Sequence, residues 1–461
     1  MLKSLLFGAA VLILALSPAV QAQARTDPPA AVGSVSARVD ALMVSYPGFS
    51  GVVLVAKDGR PVLRKAYGQA NREWNIANAP DTKFRLGSLT KAFTAAAILQ
   101  LQEAGKLSVE DPISKHYPDA PQAWSQITLK HLLTHTSGIP SYTGLPQFFV
   151  REARLGRTPA EIVKLTQDRP LEFEPGAKYA YDNTGYILLG YVIEKVSQEP
   201  YAQYVEKHIF QPLGMKSSGY DVTEKIIPLR ASGYQAGPDG PLINAPFLDM
   251  SLPYAAGSLY STVDDLLLWD QALKSDKLLS EGSRGLMFKD YGFAYGFGWG
   301  VDKRYGHTHI GHSGGINGFS TRLDRYPDDG LTVIVLSNVS SGPITGAVAG
   351  ELGAIYLGVS ARTAASGGRD VLRRVIDGMQ AGSPDYNLMN PALADATRSQ
   401  LPDLRRRLAA LGPLKSVGYL GSLSSGADRY KVSFENGELE YLIGLAPDGR
   451  INTLDLRVIP K

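Results

Sequence analysis

The chain has 461 residues, 44% of them hydrophobic and 20% charged, with a formal net charge of +3 and no cysteine. That length exceeds one ordinary core and points to two domains. A balanced charge without a basic stripe excludes a nucleic-acid partner, and the lack of cysteine excludes disulfides, thiol catalysis and Cys-ligated zinc.

Taken in chain order, residues 1–24 read as a secretory signal peptide. Lys3 supplies the positive start, an apolar run follows from Leu5 to Leu16, and Pro18 breaks it before Ala22-Gln23-Ala24. The run is shorter than the ~20 residues that span a bilayer. The expectation is an exported protein, periplasmic or secreted, with no integral membrane segment once the signal is removed. A Pro- and Ala-rich lead-in precedes an amphipathic helix over 35–45. A hairpin of 51–56 and 61–68 follows, turning at Lys57-Asp58-Gly59.

Apolar spacing predicts helices over 94–105, over 127–138 with Thr128 as N-cap, over 183–198 and over 261–273. The last opens with Thr262 and Asp265 at capping-box spacing. Strands are expected again at 309–315, 318–327 and 331–338, with a turn at 327–330. Strands at both ends with helices between predict an α+β domain over 25–360, one antiparallel sheet flanked by helices. Residues 361–368 are small and polar and read as a linker. Residues 369–461 then form a small C-terminal α+β domain. Its helices are expected over 370–380 and 401–412, and its strands turn at Glu435-Asn436-Gly437 and Pro447-Asp448-Gly449. In element order this module resembles accessory domains of the cystatin or NTF2 type.

Three short motifs could carry chemistry. Ser88 and Lys91 stand three apart at the start of a helix, so hydroxyl and amine share a face, and the helix N-terminus favours a developing oxyanion. A lysine whose charge is suppressed by burial can take the hydroxyl proton. Tyr181 and Asn183 form the one Tyr-x-Asn of the chain, on a loop before a helix. A tyrosine near its ordinary pKa of ~10 acts as a base only where a cation supports the phenolate, and Lys91 would be that cation. His312-Ser313-Gly314 lies on an edge-like strand, where the Gly315 N–H with that of Ser88 would make a two-donor oxyanion hole. Each motif alone has a blander reading: a helix cap at Ser88, a core aromatic at Tyr181, a second cap at Asn183.

The histidines raise a competing possibility. His307 and His309 share a strand face and could ligate a metal, but His312 has the opposite parity. His131 and His135 have helical spacing without the glutamate of a zinc-protease helix. Neither a metal nor an organic cofactor is expected.

Ser88-Leu-Thr-Lys91, Tyr181-Asp-Asn183 and His312-Ser-Gly314, with flanks such as HLLTHTSGIP (131–140) and GHSGGINGFSTRLDRYPDDG (311–330), resemble the superfamily of class C β-lactamases and penicillin-binding proteins. The similarity covers roughly residues 35–355. It implies an acyl-enzyme mechanism with Ser88 as nucleophile, Lys91 as its base and Tyr181 as proton relay. Asn183 would bind the substrate amide and hold Lys91. His312 and Gly314 would position substrate, with His312 orienting Tyr181 or a substrate carboxylate. Two departures stand out. His312 replaces the lysine common in class C β-lactamases, as in D-amino-acid peptidases and related hydrolases, so peptides with D-residues or esters rank ahead of β-lactams. Asp182 replaces a common serine, which puts a carboxylate near the site as a possible determinant of preference. An efficient β-lactamase and a penicillin-binding, non-catalytic module are the alternatives that the resemblance leaves open. The partner implied is a small-molecule or peptide substrate.

Overall fold

The computed structural model describes residues 34–46, 48–146, 148–237, 241–340, 344–359, 365, 367–423, 427–446 and 448–458. The expected signal peptide and most of the expected linker lie outside them. Among the described residues no helix is long and apolar enough to cross a membrane.

The architecture follows from the two apolar faces of its first strand. In β1 (Gly51–Lys57) Val52, Leu54 and Ala56 point into one hydrophobic cluster, and Val53 and Val55 into another. A strand covered on both faces reads as a continuous apolar run, which is what GVVLVA is. β1 pairs with β2 (Arg60–Tyr67) through Asp58 and Gly59, whose φ values of 48° and 75° suit a two-residue hairpin turn. The remaining strands come from the far end of the domain: β3 (Gly300–Arg304), β4 (His307–Ile316), β5 (Phe319–Tyr326) and β6 (Leu331–Ser337). The antiparallel order is β3-β4-β5-β6-β1-β2, so β1 joins β6 and the two ends of the domain close one six-stranded sheet, as expected.

Helices α1 (Val35–Val44) and α6 (Ile344–Tyr356) cover one face. The other carries the helical region, built around α2 (Thr90–Glu103), which is buried almost all round as a helix at the centre of a core must be. Also in that region are α3 (Leu129–Leu133), α4 (Asn183–Ser197) and α5 (Val263–Ala272). The helix expected over 127–138 is shortened. Thr128 caps α3 in a capping box with His131, but His135 takes a left-handed φ of 57° that no α-helix continues through. Thr262 caps α5 by accepting from the Asp265 N–H. The Asp265 carboxylate instead accepts from Ser217 N–H and Ser218 Oγ, at 2.7 and 2.8 Å.

The C-terminal module has its own core, in which Leu372, Ile376, Val432 and Tyr441 meet. Helices α7 (Gly368–Ala381) and α8 (Pro391–Leu411) pack on a meander of β7 (Leu414–Ser422), β8 (Ala427–Phe434), β9 (Glu438–Leu445) and β10 (Ile451–Val458). α8 begins at Pro391, well before the expected 401, because Asn390 caps it and Pro402 is carried inside the helix. The module meets the main domain at Arg429, which donates to the Ser45 carbonyl at 3.1 Å and lies over Tyr46. Tyr46 belongs to the α1 and α6 side of the sheet.

One strand edge positions the functional region. β3 pairs with β4 only as far as Gly311, so residues 312–316 lack a β3 partner and the turn before α2 packs against them. A Cβ on Gly314 would lie 1.8 Å from the Leu86 carbonyl oxygen and 2.3 Å from Thr321 Oγ1, whereas one on Gly315 would meet nothing within 4 Å. Gly314→Ala is therefore expected to cost about 1–3 kcal/mol and to lower the melting temperature. Gly315→Ala should stay within about 0.5 kcal/mol of wild type. Thermal unfolding of the two variants side by side checks the contrast.

Candidate active site

Ser88 sits in the tight turn Gly87–Leu89 that leads into α2, and it is partly exposed. Lys91 lies on the first turn of α2 and is fully buried. Its Nζ donates to Asn183 Oδ1 at 2.8 Å, to the Ala256 carbonyl at 3.0 Å and to Ser88 Oγ at 3.2 Å. Burial pushes the amine down to about 7, with only Asp182 opposing the shift. Near neutral pH a large share of Lys91 is thus uncharged, with a lone pair available beside a hydroxyl.

Asn183 opens α4 with its amide held at both ends. Oδ1 accepts from Lys91, Nδ2 donates to Thr143 Oγ1 at 2.9 Å, and its backbone N–H donates to Ser141 Oγ at 3.1 Å. Tyr181 lies two residues earlier, with the Lys91 amine 4.7 Å from its ring centroid. Its hydroxyl is closed off from solvent and has no hydrogen bond of normal geometry. Burial drives the phenol well above its ordinary range, with the nearby Ser88 hydroxyl the leading opposing influence. The phenolate expected from support by Lys91 is thus disfavoured: the amine lies over the ring, and it is itself half-neutralised by burial.

Asp182 corrects a second expectation. Its carboxylate accepts from the Thr184 and Gly185 N–H groups at 2.6 and 2.8 Å, capping α4, and it is 3% exposed. Burial raises it to about 7 despite those bonds. Its oxygens are committed to the helix and do not face an incoming substrate.

His312 is buried on β4. Its Nδ1 lies 2.6 Å from the Ser313 carbonyl and its Nε2 2.9 Å from the Tyr295 hydroxyl. A carbonyl only accepts, so Nδ1 carries the proton and Nε2 accepts from Tyr295. Burial, with Lys91 adding to it, pushes the imidazole down to about 3 and keeps it neutral. Its ring is 6.2 Å from that of Tyr181, centroid to centroid, and its ring nitrogens meet the Ser313 carbonyl and Tyr295, not Tyr181, which was one of the two partners expected for it. Gly314 and Gly315 lie against the Ser88 turn. Gly87 has φ 55°, and a Cβ there would come within 2.9 Å of the Gly315 nitrogen. Ser88 and Gly315 are therefore brought together, with Gly315 exposed.

The other histidines have separate partners. His307 Nδ1 faces Asp329 at 2.8 Å, and His309 faces Asp302 and Asp324 at 2.6 and 2.9 Å. His131 accepts from Thr128 N–H, and His135 Nδ1 accepts from Asp182 N–H at 3.1 Å. Among the described residues no group of three or more His, Asp or Glu side chains is arranged to hold a metal.

Sequence reasoning missed several neighbours. His135 is buried with its ring 4.3 Å from that of Tyr181, and its Nε2 has no hydrogen-bond partner among the described residues. Helical spacing linked it to His131, but the left-handed backbone at residue 135 separates them. Thr143, Ser141, Tyr295 and the Ala256 carbonyl carry no spacing signal at all, because distant loops bring them in.

The part of the chain that carries these residues is similar to known proteins. The Beta-lactamase family model matches residues 35–355. PbpX of Bacillus subtilis (strain 168), named as a penicillin-binding protein, is 36% identical over 304 residues, 65% of this chain and 73% of its own. The structure of a D-stereospecific amidohydrolase from Streptomyces sp. matches with a TM-score of 0.60 at 31% identity, covering 67% of this chain and 95% of that one. An octameric penicillin-binding protein homologue from Pyrococcus abyssi shares the fold over 92% of this chain and 98% of its own, with a TM-score of 0.61 at 24% identity. With 35–355 matched as one unit, this chain belongs to the Beta-lactamase family.

Proposed function

We propose that the chain is an exported serine hydrolase that cleaves an amide or ester bond through an acyl-enzyme on Ser88. The observation that carries this reading is the buried Lys91 amine, 3.2 Å from Ser88 Oγ and pushed down to about 7. Neutral Lys91 takes the Ser88 proton as Oγ attacks the carbonyl carbon, and the N–H groups of Ser88 and Gly315 receive the oxyanion. Tyr181, a neutral phenol, passes that proton to the leaving nitrogen or oxygen as its bond to the carbonyl carbon breaks, and in deacylation passes one from the attacking water to Ser88 Oγ as the acyl–oxygen bond breaks. Asn183 holds Lys91 through Oδ1, and its remaining Nδ2 hydrogen can meet a substrate carbonyl. Gly314 keeps the strand close to the Ser88 turn.

The amidohydrolase among the similar structures supports an amide substrate, and the penicillin-binding name of PbpX supports acylation at serine. Export rests on residues 1–24 alone. The domain plan of 25–360, linker 361–368 and module 369–461 rests on composition, with the two separate cores in its favour.

Intact-mass analysis after treatment with a fluorophosphonate should show one adduct on the wild type and none on Ser88→Ala. Ester hydrolysis should fall at least about a thousandfold in that variant. Full activity of Ser88→Ala would refute the mechanism. Stable acylation by penicillin with no turnover of any ester or peptide would favour a binding module instead.

The pH dependence follows from Lys91. Its neutral fraction grows as pH rises through about 7, so kcat/KM should climb from acid pH to a plateau, with about a hundredfold loss two units below the midpoint. The limb should persist in Asp182→Asn, which separates Lys91 from the other buried group that titrates nearby. A rise continuing to the ordinary lysine range would contradict a depressed Lys91.

A further inference from the structure

Among the described residues, no charged side chain bonds to His312. His312 stands where a cation would be expected to greet an anionic substrate, yet both its ring nitrogens are occupied, one by the Ser313 carbonyl and one by the Tyr295 hydroxyl. Beyond it runs a wall of aromatic rings. Tyr295 is 5.9 Å from His312, Tyr179 is 5.5 Å from Tyr295, and Phe293 is 6.3 Å from Tyr179, all between ring centroids. Phe293 is 39% exposed and Tyr179 partly so, so the wall opens toward solvent.

The charged groups that bear on His312 are Lys91 and Arg322, and neither can serve a substrate carboxylate here. Lys91 is fully buried and surrounded by three acceptors. Arg322 is one residue out of step with Leu323, the partner of His312 in the sheet, and so points to the opposite face, where its Nε donates to Asp324 at 2.6 Å. A carboxylate brought against the His312 and Tyr295 rings would lose hydration, and neither Lys91 nor Arg322 is placed to compensate it.

We infer that the stretch of the site from His312 past Tyr295 and Tyr179 to Phe293 accepts an uncharged, apolar group of the substrate and rejects a carboxylate. The inference rests on the hydrolase reading above and names the substrate class of that same site. The enzyme then acts on neutral esters and amides, or on blocked peptides, in preference to compounds whose recognition depends on a free carboxylate.

Two matched pairs of aryl esters test this. In one pair the acyl group is a phenylacetyl bearing either a para-carboxamide or a para-carboxylate. In the other, the same two substituents sit on the leaving phenol of an acetate ester. At least one pair should show kcat/KM lower by about tenfold or more for the carboxylate member, and neither should favour it. Phe293→Lys or Tyr179→Lys, which adds a cation to the wall, should narrow that ratio several-fold. Equal or faster turnover of the carboxylate member in both pairs would overturn the inference, as would a ratio that neither lysine variant moves. These outcomes are distinct from failure of the hydrolase reading, which would appear as no acylation of wild-type Ser88 by any of the four esters.

Discussion

Lys91 imposes the constraint on which the rest of the site depends, because an ammonium taken out of water is costly unless acceptors surround it or it gives up its proton. This chain does part of each. The amine is enclosed on the most buried helix of the domain and met by Asn183, Ser88 and the Ala256 carbonyl. No carboxylate lies among those bonded partners. Asp182, the charge that most supports the ammonium, is itself buried and raised. The balance leaves a lysine that titrates near neutrality, beside a serine on the same helical turn.

The surroundings keep that balance from drifting. Thr143 fixes the Asn183 amide so that its oxygen, not its nitrogen, faces the amine. The Asp182 N–H fixes His135 with Nδ1 as acceptor, which leaves a neutral imidazole packed against the Tyr181 ring. His312 is neutral for the same reason, burial, and is tied to Tyr295. Two uncharged imidazoles and several phenols therefore line the centre around Lys91 and Ser88. Gly314 and Gly87 complete the arrangement, since a Cβ on the first would strike the Leu86 carbonyl and one on the second the Gly315 backbone.

Much of this was legible in the sequence. Ser88, Lys91, Tyr181, Asn183 and Gly315 are found by spacing, because residues on one helical turn, one extended loop or one strand edge meet by local geometry. The sheet closed from both ends could be read from GVVLVA and LTVIVLSN, runs that are apolar because both faces are covered. What stayed hidden depends on contacts between distant segments or on one backbone angle. The left-handed His135 ends α3 early and sends its ring to Tyr181, and apolar periodicity has no means of showing that. That the Nε2 of His312 is held by Tyr295, a residue of a distant loop, is likewise invisible to spacing. Asp182 reads as a charge in the site but spends both oxygens on a helix cap. The helix expected from 401 starts earlier, because Asn390 caps it, Pro391 suits its first turn and Pro402 is carried inside it.

The most direct test of this account is an NMR titration of the Lys91 amine in isotopically labelled protein, with the resonance assigned by its loss in Lys91→Arg. The account predicts a midpoint near 7. A midpoint at the ordinary lysine value of 10.5 would mean that the amine stays charged beside Ser88, and would contradict its role as the base.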